Sequence, residues 1–205
     1  MEVSIKGGSK GDVAFVDTNE RLHTATVSED EGTHSADSSI AQKFNCNTGT
    51  ITVTDANKTS LLYMENTGIY DMVCTAFIYN FGASTSGTGD ATMEILKNPT
   101  SGDLISNTND AAVGPGLGAC STVGSSNVPS GKFYVGATSE GVTTGGLLHL
   151  STLFNSPLGR VTIPLVMVIP KGGSIVVEYT PQTSNSSQGV QVAVSYYVKT
   201  VEVAV

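Results

Sequence analysis

A chain of 205 residues, 39% apolar and only 14% charged, is long enough and apolar enough to bury a substantial core, unlike a disordered polypeptide. Residues 1–45 hold eight acids and four bases and the rest ten acids and six bases, so the net charge of −8 is shared equally; neither part is a basic patch, which disfavours binding to nucleic acid. The composition, with 23 glycines and no tryptophan, predicts many short strands joined by turns, and no stretch is long and apolar enough for a membrane helix or a secretion signal, so the reading is of a soluble protein made in a cytoplasm.

Residues 1–45 differ in character from the rest of the chain. A glycine-rich opening leads to the short apolar run Asp12-Val13-Ala14-Phe15-Val16-Asp17, which can pair as a strand but cannot form a core alone. A turn and a second extended piece carrying Leu22 and His23 come next, then the acidic run Ser28-Glu29-Asp30-Glu31-Gly32. The segment 38–44 offers at most one helical turn. The whole region reads as an extended N-terminal arm that becomes ordered against something else, such as a neighbouring subunit.

The remainder, 46–205, reads as one β-sandwich domain. Residues 50–54 alternate, 60–66 form the next strand, and 71–81 are apolar on both faces, which predicts a central position in a sheet. A glycine-, serine- and threonine-rich loop leads to a strand at 91–97, stopped by Asn98-Pro99. Residues 101–131 show no period, and a loop of that length inside a compact domain is expected to serve a function, here lying across a subunit surface. Strands are predicted next at 132–137 and 146–154. The run VTIPLVMVI at 161–169 reads as a core strand, Pro170-Lys171-Gly172-Gly173 as a tight turn, and 174–180 as the return strand. From Val190 the alternation is strict: Val190, Val192, Val194, Tyr196 and Val198 share one face, predicted to be inside. Eight or nine strands with no fixed repeat predict an antiparallel sandwich of jelly-roll type.

Candidate chemistry is sparse. Cys46, Cys74 and Cys120 are odd in number and far apart, so they predict buried free thiols rather than disulfides or a zinc site. His23 and His34 flank three acids, but their spacing matches no ligand pattern, and Asp12, Asp17, Asp55 and Asp90 are too scattered for calcium. His149 reads as an edge or interface residue, with no acid or nucleophile near it in sequence. There is no nucleophile elbow and no phosphate loop with its strand and helix, so no cofactor, no metal and no enzymatic activity are expected.

Two stretches carry a resemblance. Ala14-Phe15-Val16-Asp17-Thr18-Asn19-Glu20-Arg21-Leu22-His23-Thr24, followed by acids and then Thr50-Ile51-Thr52-Val53-Thr54, resembles the opening of structural proteins of tailed bacteriophages, in which an extended arm precedes a β-sandwich. Ile95-Leu96-Lys97-Asn98-Pro99-Thr100-Ser101-Gly102 and Ile169-Pro170-Lys171-Gly172-Gly173-Ser174-Ile175 are similar in character to later turns of those chains. The resemblance implies a virion protein of the head decoration or cement type, assembled in the host cytoplasm. Its implied partners are the major capsid protein and further copies of itself, as a trimer, with no nucleic acid and no membrane. The arm would make the capsid contact, through Val13, Phe15, Val16, Leu22 and His23, by adding strands to exposed edges. A receptor- or carbohydrate-binding module on a tail or head fibre is the alternative, because jelly rolls also serve as lectins; such a module wants exposed aromatic residues, and this chain has few.

Overall fold

The computed structural model describes residues 5–7, 12–16, 22–24, 41–54, 57–106, 119–120, 131–137, 141–155, 158–184 and 187–199. The chain divides into two units, Met1–Ala36 and Asp37–Val205. In the first, β1 (Ile5–Gly7), β2 (Asp12–Val16) and β3 (Leu22–Thr24) form a three-stranded antiparallel sheet in that order.

The second unit is all-β. Its main strands are β4 (Ala41–Asn47), β6 (Thr59–Asn66), β7 (Asp71–Phe81), β8 (Asp90–Lys97), β11 (Leu147–Asn155), β12 (Gly159–Ile169), β13 (Ser174–Thr180) and β14 (Gln188–Lys199). Between them lie the short strands β5 (Ile51–Val53), β9 (Ala119–Cys120) and β10 (Gly131–Val135), and one helical turn, α1 (Asp103–Ser106). One sheet has the order β10-β6-β13-β8-β11, the other β12-β7-β14-β4-β9, with β5 also pairing β14.

The pairing of the eight main strands defines the fold. The first pairs with the last (β4 with β14), the second with the seventh (β6 with β13), the third with the sixth (β7 with β12) and the fourth with the fifth (β8 with β11), every pair antiparallel. Such a ladder is one long hairpin rolled into two facing sheets, which is the jelly roll. The predicted sandwich is therefore present.

The core lies between the sheets and follows from alternation. Val190, Val192, Val194 and Tyr196 of β14 are buried, with Val198 half-buried against them, as the period of two requires. They face Ile175, Val177 and Tyr179 of β13, Met93 and Ile95 of β8, and Met64 of β6. Burying each such side chain contributes roughly 1.5–3 kcal/mol, an upper figure because an unfolded chain already hides part of this surface. The ladder between β13 and β6 slips by one residue between Val177 and Glu178, and Leu61 and Leu62 both enter the core there.

Three local expectations change. Residues 41–47 form a strand paired with β14, where the sequence offers a helical turn over 38–44; Phe44 and Cys46 alternate into the core, and the favourable neighbour for that stripe is a sheet edge. The reversal at 170–173 does not close a hairpin: β12 pairs with β7 in one sheet, and β13 with β6 and β8 in the other. Gly172, at φ 75°, lets the chain cross between the sheets, and the crossing is stitched to the end of β6 by Gly172 N–H to Asn66 O and Asn66 N–H to Gly173 O. Finally, β12, read from sequence as a core strand, does place Met167 and Ile169 in the core but lies at the edge of its sheet. Pro164 in its middle is the local signal, since proline removes a ladder donor and is confined to edges and bulges.

The connection from β8 to β11 begins on the outer face of the five-stranded sheet. Leu104 of α1 is buried there with Tyr63 and Val176, forming a second, smaller apolar cluster. The chain then adds β10 beside β6 and returns past Gly136, whose N–H donates to Leu61 O. A β-carbon at Gly136 would lie 1.9 Å from Ser60 O, so only glycine permits this approach.

Candidate interaction surface

The strands β11 and β12 are consecutive in the chain and form the edges of the two sheets on the same side of the sandwich. Neither has a second strand partner among the described residues. Six of the nine exposed large apolar side chains among the described residues lie on these strands or in the turn between them: Leu147, Leu148, Leu153, Leu158, Val166 and Val168. Their inward-facing neighbours Leu150, Phe154, Val161, Ile163 and Leu165 pack on the core but stay only partly buried. The core is thus apolar right up to this rim and opens to solvent along it.

The rim is also nearly uncharged. Across β11 and β12 the only ionisable side chains are His149 and Arg160, and neither strand carries an acid. His149 is exposed on β11, as the sequence predicts for an edge residue, at the point where the ladder with β8 shifts register between Leu148 and Leu150. Partial desolvation and the nearby Lys97 hold its imidazole below the usual histidine pKa. The ladder of β12 shifts as well, between Pro164 and Met167. Proline and bulges are the devices by which exposed edges resist open-ended strand addition.

A second polar feature lies on the outer face of the five-stranded sheet. Glu178 is only 1% exposed. Its Oε1 accepts from Thr143 N–H at 2.8 Å, Thr143 Oγ1–H at 2.7 Å and Ser60 Oγ–H at 3.3 Å. Its Oε2 makes an ion-pair contact with Lys58 Nζ at 2.9 Å, outside hydrogen-bond geometry, and the same ammonium meets Glu94 Oε2 at 2.5 Å. Glu178 and Glu94 sit directly opposite in the ladder, so Lys58 separates two carboxylates that would otherwise repel. The carboxylate also pins the returning loop: Thr143 is bound to it, and Thr144 N–H donates to Ser101 O. This arrangement holds a loop down, with Lys58 filling the space between the acids.

The arm residues singled out from sequence fall on the first unit. Val13, Phe15 and Val16 lie on β2, Leu22 and His23 on β3, with Phe15 opposite His23 and Val16 opposite Leu22. Their side chains lie outside the described residues. Val13 pairs with Lys6, so β2 has a strand on each side, and the edges of this sheet left open among the described residues are those of β1 and β3. Of residues 101–131, the parts 107–118 and 121–130 lie outside the described residues, as do His34, Glu29, Asp30 and Glu31; of what is described, Leu104 and Ile105 pack on the five-stranded sheet and Ala119–Cys120 pair with β4 in the other sheet.

Cys46 and Cys74 are free and buried, as predicted, and burial pushes both thiols up to about 12. No group of three or more metal-ligating side chains occurs among the described residues. The rim itself was missed in sequence because 161–169 and 146–154 read as apolar strands with no indication of which neighbour, if any, would cover them. The chain matches no protein-family model and no curated protein sequence.

Proposed function

We propose that this chain is a non-enzymatic virion structural protein, a decoration or cement protein that binds the outside of a phage head and ties major capsid subunits together as a homo-oligomer. The observation that carries the reading is the concentration of exposed apolar surface on the edge strands β11 and β12 of a jelly roll. Exposed apolar side chains gathered on edge strands have the chemistry of a protein contact rather than of a substrate pocket. The resemblance of residues 14–24 and 50–54 to phage structural proteins supplies the setting, and the first unit supplies a separate element for the capsid contact, through the strand edges of β1 and β3.

Immunogold electron microscopy of the particles that carry this chain tests the reading. Label spread evenly over the head is the expected result. Label confined to the tail or fibre tips, or absent from particles, would overturn it. Removal of residues 1–36 is expected to abolish attachment while the second unit keeps its cooperative unfolding transition.

A further inference from the structure

We infer that Glu178 is an acid-opened clasp: its carboxylate fastens the neck of the long connection between β8 and β11 to the five-stranded sheet, and protonation lets that neck go while the sandwich stays folded. The inference rests on the network around Glu178 and goes beyond the proposed function, whose failure would leave it standing.

The backbone defines the neck. The connection leaves the sheet after Lys97 and returns at Leu147, carrying α1, β9 and β10 on the way. Its two ends are tied to each other: Thr144 N–H donates to Ser101 O at 2.8 Å, Thr100 N–H donates to Thr144 O at 2.9 Å, and the hydroxyls of Ser101 and Thr144 are hydrogen-bonded. The ends lie so close that a β-carbon on Gly102, at φ 134°, would come within 2.6 Å of Thr143 Cα. The tied ends are fastened to the sheet through Thr143, which gives both its N–H and its hydroxyl to Glu178 Oε1. Beside it, Gly141 O accepts from Ser60 Oγ–H at 2.9 Å.

The fastening depends on charge. Oε1 receives the donors of Thr143, and Oε2 lies against the Lys58 ammonium. A proton on Oε2 would face that ammonium 2.9 Å away, and a proton on Oε1 would occupy the oxygen that Thr143 uses twice. The neutral acid therefore loses one set of contacts, and hydrogen bonds to a neutral acceptor are only about half as strong as those to a charged one. Among the described residues, the ionisable groups that face Glu178 are Lys58, just before β6, and Glu94, opposite on β8. Residues 141–145 of the returning loop, 59–62 of β6, Val176 and Thr180 of β13 and Ser151 of β11 bring none. Lys58 sets the opening point: its charge favours the carboxylate, so the clasp is closed above the ordinary carboxyl range and opens as pH falls through a depressed value. Opening does not take the sheet apart, because β13 keeps its ladders with β6 and β8 on either side.

Hydrogen–deuterium exchange of the full chain, read by mass spectrometry, is the test. Protection over 141–146, corrected for the intrinsic pH dependence of exchange, is expected to hold from pH 7 to about pH 5 and then to fall by up to about tenfold per pH unit, while 190–198 stays protected. Glu178→Gln fixes the neutral state and is expected to show low protection over 141–146 already at pH 7, level across the same range. Lys58→Gln is expected to move the fall to higher pH, which a merely structural contact would not do. Should the unsubstituted chain unfold as a whole in acid, the two variants give the reading at higher pH. Protection over 141–146 that follows 190–198 at every pH in all three chains, a Glu178→Gln chain as protected there as the unsubstituted one at pH 7, or a fall at unchanged pH in Lys58→Gln would overturn the assignment.

Discussion

Truncating Glu178 to alanine tests the buried network that pins the loop across the five-stranded sheet. The substitution leaves Thr143 N–H and Oγ1–H without their acceptor in a site where Thr143 is 7% exposed. Each buried polar group left unsatisfied costs about 1–3 kcal/mol. Lys58 is a third exposed and keeps Glu94, so loss of that half of the network adds only about 0–1 kcal/mol. The sum is about 2–7 kcal/mol, a range that brackets the roughly 3–5 kcal/mol of breaking a buried pair and is a large part of the ~5–15 kcal/mol by which a domain is stable. Glu178→Gln keeps an oxygen for Thr143 but sets an amide against the ammonium, and should cost about half as much. Urea titration at pH 7 measures both through the midpoint.

The same residue carries a pH signature. Burial alone would push the Glu178 carboxyl up, but the hydrogen bonds from Thr143 and the close ion-pair contact with Lys58 outweigh it and hold the pKa below its ordinary 4.5. A carboxyl whose folded-state pKa is depressed stabilises the fold fully above the unfolded-state pKa, and that contribution disappears as pH falls through the folded-state value. The wild-type midpoint should therefore drop below about pH 4.5 more steeply than that of Glu178→Gln. Parallel acid profiles, or a cost under about 1 kcal/mol for the alanine variant, would refute the reasoning.

Single side chains give two further tests. Asn66 is buried where β6 ends, and its Nδ2 donates to Tyr70 O and Ile169 O while its Oδ1 accepts from Gly68 N–H. Asn66→Ala orphans these backbone groups and should cost about 2–4 kcal/mol in thermal or urea unfolding; a loss below about 1 kcal/mol would show that the sheet crossing does not depend on it. The thiols of Cys46 and Cys74, raised to about 12 by burial, should resist alkylation at pH 8 in the native state and react once the chain is unfolded, as peptide mapping would reveal.

Much of this protein is fixed by local pattern. The period of two in 190–198 dictates which face of β14 is inside, the two-faced apolar character of 71–81 places β7 between two neighbours, and Asn98-Pro99 ends β8. Those outcomes depend on side-chain alternation and backbone chemistry, which a linear sequence carries in full. What tertiary structure alone decided is which strand lies beside which. Residues 161–169 are more apolar than most of β14, yet β12 is the edge strand and β14 the central one, because the order of strands follows from pairing the first with the last and inward from there. The network of Glu178, Lys58, Glu94 and Thr143 joins residues far apart in the chain, and no local signal marks them as neighbours. The apolar rim has the same origin: hydrophobic strands are legible from composition, but whether their surface faces a core or the solvent is settled only when the sheets have closed around everything else.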